Sequence, residues 1–130
     1  RPGRQGHRQG HRRRQGDLVR EEYEPGQDVV LLCNILHHFP VETNQAILRK
    51  VHAALRPDGV VGIFDIETPD PSAAPEAAAD AFTLYFRITS TSSCFRGSDY
   101  EQWLRACGFR SVRTIRSLKM PARMLVVGER

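Results

Sequence analysis

The chain predicts half of a doubly wound α/β sheet, with two parallel strands, flanking helices and an antiparallel terminal hairpin. Two unbroken apolar runs, Val29–Leu32 and Val60–Phe64, predict the parallel strands, since strands covered on both faces read as continuous stretches rich in β-branched residues. An amphipathic stretch of about fourteen residues lies between them and predicts the crossover helix. Right-handed crossover makes the two strands parallel, so the polar groups that end them fall on the same edge of the sheet. That edge is where α/β folds place their chemistry.

The elements follow in order. Pro25-Gly26-Gln27-Asp28 is a turn that leads into the first strand. The helix is predicted from Glu42 to Leu55, with Ile47, Leu48, Val51 and Leu55 spaced along one buried face. Arg49, Lys50 and Arg56 gather near its carboxyl end, which suits the helix dipole, and His52 is expected to face solvent. Pro57-Asp58-Gly59 is expected to stop the helix before the second strand, which ends in Asp65.

Residues 67–75 hold three prolines and read as a loop. The alanine-rich stretch from Pro75 to Phe86 predicts a helix whose aromatics face either core or substrate, with core favoured, and Ser90 to Ser93 predicts a flexible polar segment. Ser98-Asp99-Tyr100-Glu101 matches a capping box, so a short helix is predicted from Asp99 to Cys107, halted by Gly108. Ser111–Arg116 and Met124–Val127, joined by a turn at Met120-Pro121-Ala122, predict the terminal antiparallel pair.

Composition bounds the rest. A chain of 130 residues with 40 % hydrophobic residues suits one domain with a modest core. No apolar stretch approaches the roughly 18 residues that span a bilayer, and no signal segment opens the chain, so no membrane partner and a cytoplasmic location are expected. Cys33, Cys94 and Cys107 are odd in number and far apart, which points to neither a disulfide framework nor a zinc site.

Charge is uneven along the chain. Residues 1–16 carry six arginines and no acid, so the formal net charge of +4 belongs to this segment. Having no apolar residue before Leu18, it predicts a disordered basic tail. Its Arg12-Arg13-Arg14 run lacks the interleaved aromatics of nucleic-acid binders, so a nucleic-acid partner is not expected.

The chemistry concentrates where the first strand ends. Cys33-Asn34-Ile35-Leu36-His37-His38-Phe39-Pro40 delivers two histidines at the sheet edge, and a neighbouring second strand brings Asp65 within reach of them. A metal site from His37, His38, Cys33 and Asp65 is disfavoured, because adjacent histidines rarely hold one ion.

Strand, Leu-His-His-Phe, helix, Leu-Arg-Pro-Asp-Gly, strand, then Trp-Leu-Arg-Ala-Cys-Gly-Phe and a hairpin: in this order the chain resembles the carboxyl-terminal half of a class I S-adenosylmethionine-dependent O-methyltransferase of the small-molecule type. The resemblance covers residues 16–130. It implies a partial Rossmann-like methyltransferase sheet, with residues 1–16 as the tail and 17–130 as a partial catalytic domain. It implies S-adenosylmethionine as cofactor and a small hydroxylated aromatic or polyketide-like acceptor.

The resemblance also assigns residues. His37 becomes the general base and Asp65 the acid that orients it. Gly16, Asp17 and Leu18 cup the adenine, and Cys33 and Asn34 lie near the methionine end. Phe86 and Ser90, by their spacing from Arg96, line the acceptor pocket.

Departures accompany these matches. The family's Gly-rich loop and its ribose-binding acid have no counterpart, nor do its first three strands, and Phe95 stands where plant members carry a second acid. The expectation is therefore a fragment or truncated form. The alternative is a non-catalytic interaction domain that pairs through the exposed edge of Val29–Leu32, with a homo-oligomer as one outcome.

Overall fold

A computed structural model describes residues 14–68, Ala81, Leu84, 94–120 and 122–130. Its elements run β1 (Gln27–Cys33), a 3-10 turn (Leu36–His38), α1 (Val41–Ala54), β2 (Leu55–Ile66), α2 (Gly97–Ala106), β3 (Arg110–Arg116) and β4 (Arg123–Glu129). The sheet order is β1-β2-β4-β3. β1 and β2 pair in parallel, while β4 runs antiparallel to both β2 and β3. The parallel unit and the terminal hairpin are thus as the sequence predicts.

The stop before β2 is built differently from the sequence expectation. α1 ends at Ala54, and Leu55 already pairs with Gln27 in β1. The ladder resumes only at Val29 and Val60, so Arg56-Pro57-Asp58-Gly59 bulges out of the sheet. Asp58 takes a positive φ of 63° there, a conformation that aspartate tolerates better than bulkier residues. Proline removes a ladder donor, which is why this stretch cannot pair.

α1 and α2 bury their apolar faces against one side of the sheet. Ile47, Leu48 and Val51 from α1 meet Leu32, Val61 and Ile63, while Tyr100, Trp103 and Leu104 from α2 join Met124 and Val126 in the same core. Each such aliphatic side chain contributes about 1.5–3 kcal/mol on burial. Val29 and Leu31 point to the opposite side and are exposed.

α2 begins two residues earlier than the sequence predicts. The Asp99 carboxylate accepts from the Arg96 backbone N–H at 2.9 Å, which makes Asp99 the third helical residue and Gly97 the first. Glu101, expected to close a box with Ser98, instead accepts from the Thr114 hydroxyl at 2.7 Å. The helix halts where expected, at Gly108 with φ +96°.

His52 is not simply solvent-facing. Its ring meets Phe109 edge-on at 4.8 Å, and burial, followed by the Arg130 charge, holds its pKa below the ordinary histidine value. Ala81 and Leu84 are helical, while the rest of the predicted helix Pro75–Phe86 lies outside the described residues, as does Ser90–Ser93. The hairpin turn is closed by Met120 N–H donating to the Ser117 carbonyl.

Candidate active site

His37 sits in the 3-10 turn that follows β1. Asn34 ends the strand with φ +51°, and its N–H donates to the Phe64 carbonyl at 2.8 Å, so the chain leaves β1 tied to β2. Asparagine adopts this left-handed conformation more readily than most residues. The chain then folds over Leu36, and Asn44 of α1 fixes the turn from behind. Its amide donates to the carbonyls of Leu36 at 2.9 Å and Phe39 at 3.1 Å.

Asp65 arrives from β2 with its carboxylate buried. Oδ1 lies 2.7 Å from His37 Nδ1 and accepts from the Ile66 N–H at 2.8 Å, while Oδ2 accepts from the Tyr100 hydroxyl at 3.0 Å. A carboxylate can only accept, so in the neutral imidazole Nδ1 carries the proton and Nε2 the lone pair. The arrangement can therefore take a proton at Nε2 and stabilise the imidazolium that results. His37 is only 3 % exposed, whereas His38 is exposed with its ring 4.1 Å from that of His37.

Tyr100 is the residue that sequence reasoning missed. Burial, and next the Asp65 charge, push its phenol far above the ordinary tyrosine range, so the hydroxyl remains a donor throughout the working pH range. One signal was present: Tyr100, Trp103 and Leu104 share the inner face of an amphipathic helix, and a buried tyrosine needs a partner for its hydroxyl. Asn44 carried no comparable signal.

Cys33 and Asn34 lie beside this cluster, exposed at the carboxyl edge of the sheet. Asn34 Oδ1 accepts from Arg123 Nη1 at 2.6 Å, and the Arg123 guanidinium lies over the Phe64 ring at 5.7 Å. Among the described residues no group of three or more His, Cys, Asp or Glu side chains is placed to hold a metal ion. Phe86 and Ser90 lie outside the described residues.

Gly16, Asp17 and Leu18 belong to a segment that is tied to α1 at Val19 and Glu21. Asp17 Oδ1 accepts from the Val19 and Arg20 N–H groups, and these amides, Arg20 first, hold its carboxyl below the usual range. Lys50 of α1 donates to the Val19 and Glu21 carbonyls, and the Tyr23 hydroxyl donates to the Leu18 carbonyl. Burial pushes the Tyr23 phenol up to about 12. Gly16, Asp17 and Leu18 line an open pocket of about 260 Å³ with Glu21 and Tyr23.

The parallel β1-α1-β2 unit, continued by the antiparallel β4-β3 pair, is a Rossmann-like arrangement, and it is the fold of the methyltransferases on which the chain superposes. The sequence profile of the O-methyltransferase domain matches residues 4–110, and the chain belongs to that family. It is 30 % identical over 112 residues to 3-hydroxy-5-methyl-1-naphthoate 3-O-methyltransferase of Streptomyces sahachiroi, covering 86 % of this chain and 32 % of that protein. It is 31 % identical over 96 residues to L-tyrosine C(3)-methyltransferase of Streptomyces lavendulae, covering 72 % of this chain and 26 % of that one. The solved structure of the S-adenosylmethionine-dependent methyltransferase SibL superposes with a TM-score of 0.78 at 31 % identity, covering 88 % of this chain and 34 % of SibL. The chain thus spans about a third of the length of the relatives it matches. Among the described residues no helix is long and apolar enough to cross a membrane.

Proposed function

We propose that the chain carries the proton-accepting part of an S-adenosylmethionine-dependent O-methyltransferase acting on a small hydroxylated aromatic or polyketide-like acceptor. The observation that carries this reading is the buried His37–Asp65 pair at 2.7 Å. When bound, S-adenosylmethionine supplies an electrophilic methyl group. His37 Nε2 would take the acceptor's hydroxyl proton as that oxygen becomes nucleophilic, and Asp65 would balance the positive charge that appears on the imidazole.

The residues present fit one end of the cofactor. The exposed Asp17 carboxylate has acceptor capacity beyond its two backbone partners, and it stands on an open pocket with Gly16 and Leu18, which suits an exocyclic amine. Cys33 and Asn34 would lie near the methionine end. A cytoplasmic location belongs to the same reading.

The relative that methylates a tyrosine ring carbon favours a second reading, since removing a phenol's proton also activates the neighbouring ring carbon. The same base would serve both. Methyl transfer from labelled S-adenosylmethionine to a panel of small phenols tests the proposal, in the chain alone and in any longer polypeptide that carries it. His37→Gln should lower the rate by about 10²–10⁴. Equal rates for both proteins would overturn the assignment, and the position of the label in the product separates O- from C-methylation.

A further inference from the structure

We infer that Tyr100 is a positioning residue for His37, acting through Asp65 to hold the imidazole in the single tautomer a base requires. This deepens the proposed function and rests on its reading of His37. Three donors converge on the buried Asp65 carboxylate: Ile66 N–H and His37 Nδ1–H on Oδ1, and the Tyr100 hydroxyl on Oδ2. A charged oxygen removed from water needs a donor, and Tyr100 is the donor on Oδ2. With both oxygens claimed, the carboxylate cannot rotate about its bond to Cβ. Oδ1 therefore stays aimed at His37.

The surroundings make Tyr100 suited to this task. Its side chain is fully buried, and its ring packs edge-on against Phe95 at 5.9 Å and Trp103 at 5.4 Å. Phe95 is itself anchored, because its carbonyl accepts from the Thr68 N–H at 3.0 Å just beyond the end of β2. The ring that carries the hydroxyl is thus held from two sides. The position is set by α2, so the base of one βα unit is aligned from an element 35 residues downstream of Asp65.

Removing the hydroxyl alone separates this role from packing. Tyr100→Phe keeps the ring and its aromatic neighbours but leaves Oδ2 without a donor, so Asp65 gains freedom to rotate and His37 loses its fixed partner. The readout is nitrogen NMR of the full chain carrying ¹⁵N-histidine, taken above the ordinary histidine titration range. In the unaltered chain, His37 should show a protonated Nδ1 and an unprotonated Nε2. Tyr100→Phe should convert this to an average of both tautomers while circular dichroism stays unchanged. A His37 spectrum that superposes on that of the unaltered chain would overturn the inference.

Should Tyr100→Phe fail to fold, the unaltered chain decides the matter. A slowly exchanging Tyr100 hydroxyl proton with a cross-relaxation contact to the His37 Nδ1 proton supports the role, and its absence overturns it. Neither spectrum depends on methyl transfer. A His37 that moves no proton in catalysis would sink the proposed function and leave these spectra untouched, whereas unchanged spectra in Tyr100→Phe would sink only the role of Tyr100.

Discussion

His37 Nδ1 and Asp65 Oδ1 stand 2.7 Å apart across 28 residues of chain, and both side chains are buried. Parallel pairing of β1 and β2 produces this meeting, because it brings the carboxyl ends of both strands to one edge with Cys33 opposite Phe64. Substituting Asp65 should separate geometry from charge. An asparagine can keep its oxygen toward Ile66 N–H and His37 and turn its amide toward the Tyr100 oxygen, so the tautomer survives. What it loses is the stronger bond that a charged acceptor makes, about 1 kcal/mol or more. Asp65→Asn should therefore slow methyl transfer roughly tenfold, and Asp65→Ala, which removes both carboxylate oxygens, by about 10²–10³. Equal losses in the two variants would show that charge, not positioning, is the whole contribution.

The sheet was legible in the sequence for a definite reason. Continuous runs such as Val60–Phe64 have no other economical explanation, and parallel crossover then places His37 near Asp65 without further information. The details that failed were those in which a side chain chose a partner distant in sequence. Glu101 was read as half of a capping box, yet Thr114 of β3 offers it a hydroxyl. Tyr100 is given no role by the sequence, because nothing local tells which carboxylate a buried phenol will meet. Asp58 reads as part of a helix stop, yet the helix ends earlier, at Ala54, and Asp58 takes its positive φ in a bulge inside a strand.

Asn44 ties the histidine turn to α1 with two hydrogen bonds, to Leu36 and Phe39. Among the described residues its Oδ1 is buried without a hydrogen-bond partner, so the side chain is retained at a cost. Asn44→Ala leaves both turn carbonyls without their side-chain donor and should destabilise the fold by about 1–3 kcal/mol. Chemical denaturation measures that loss. Because the turn carries His37, the variant should also reduce methyl transfer at a denaturant-free temperature where it is fully folded. A variant with normal stability and normal transfer would remove Asn44 from the account.

Glu67 couples the end of β2 to β3 and α2. Burial alone would raise its pKa, but the Arg116 guanidinium, bonded to both carboxylate oxygens, and the Gly97 N–H outweigh it and hold the group below the ordinary value of 4.5. A carboxyl depressed on folding stabilises the native state above its unfolded pKa, and that contribution disappears as pH falls through the folded value. Arg116 is more than half exposed, so the ion pair is worth only about 0.2–1 kcal/mol. Urea midpoints of the unaltered chain and Glu67→Gln should differ at neutral pH and converge as the pH is lowered below that folded value. A gap that persists in strong acid would mean that the ion pair is not its source.

Among the described residues β1 lies at the edge of the sheet, with Val29 56 % and Leu31 65 % exposed. A hydrophobic edge of this kind invites another strand, either from a longer polypeptide or from a second copy of the chain. Leu31 faces away from the core and its Cδ2 reaches toward Gly62 across the ladder, so a long side chain fits there without displacing buried atoms. Leu31→Lys places a charge on the edge and should change the stability of the monomer by roughly 0.5 kcal/mol or less, as surface substitutions do. Its effect should appear in association: sedimentation across a concentration series should show self-association of the unaltered chain and a monomer for Leu31→Lys. Identical sedimentation of the two proteins would mean that the β1 edge does not drive association.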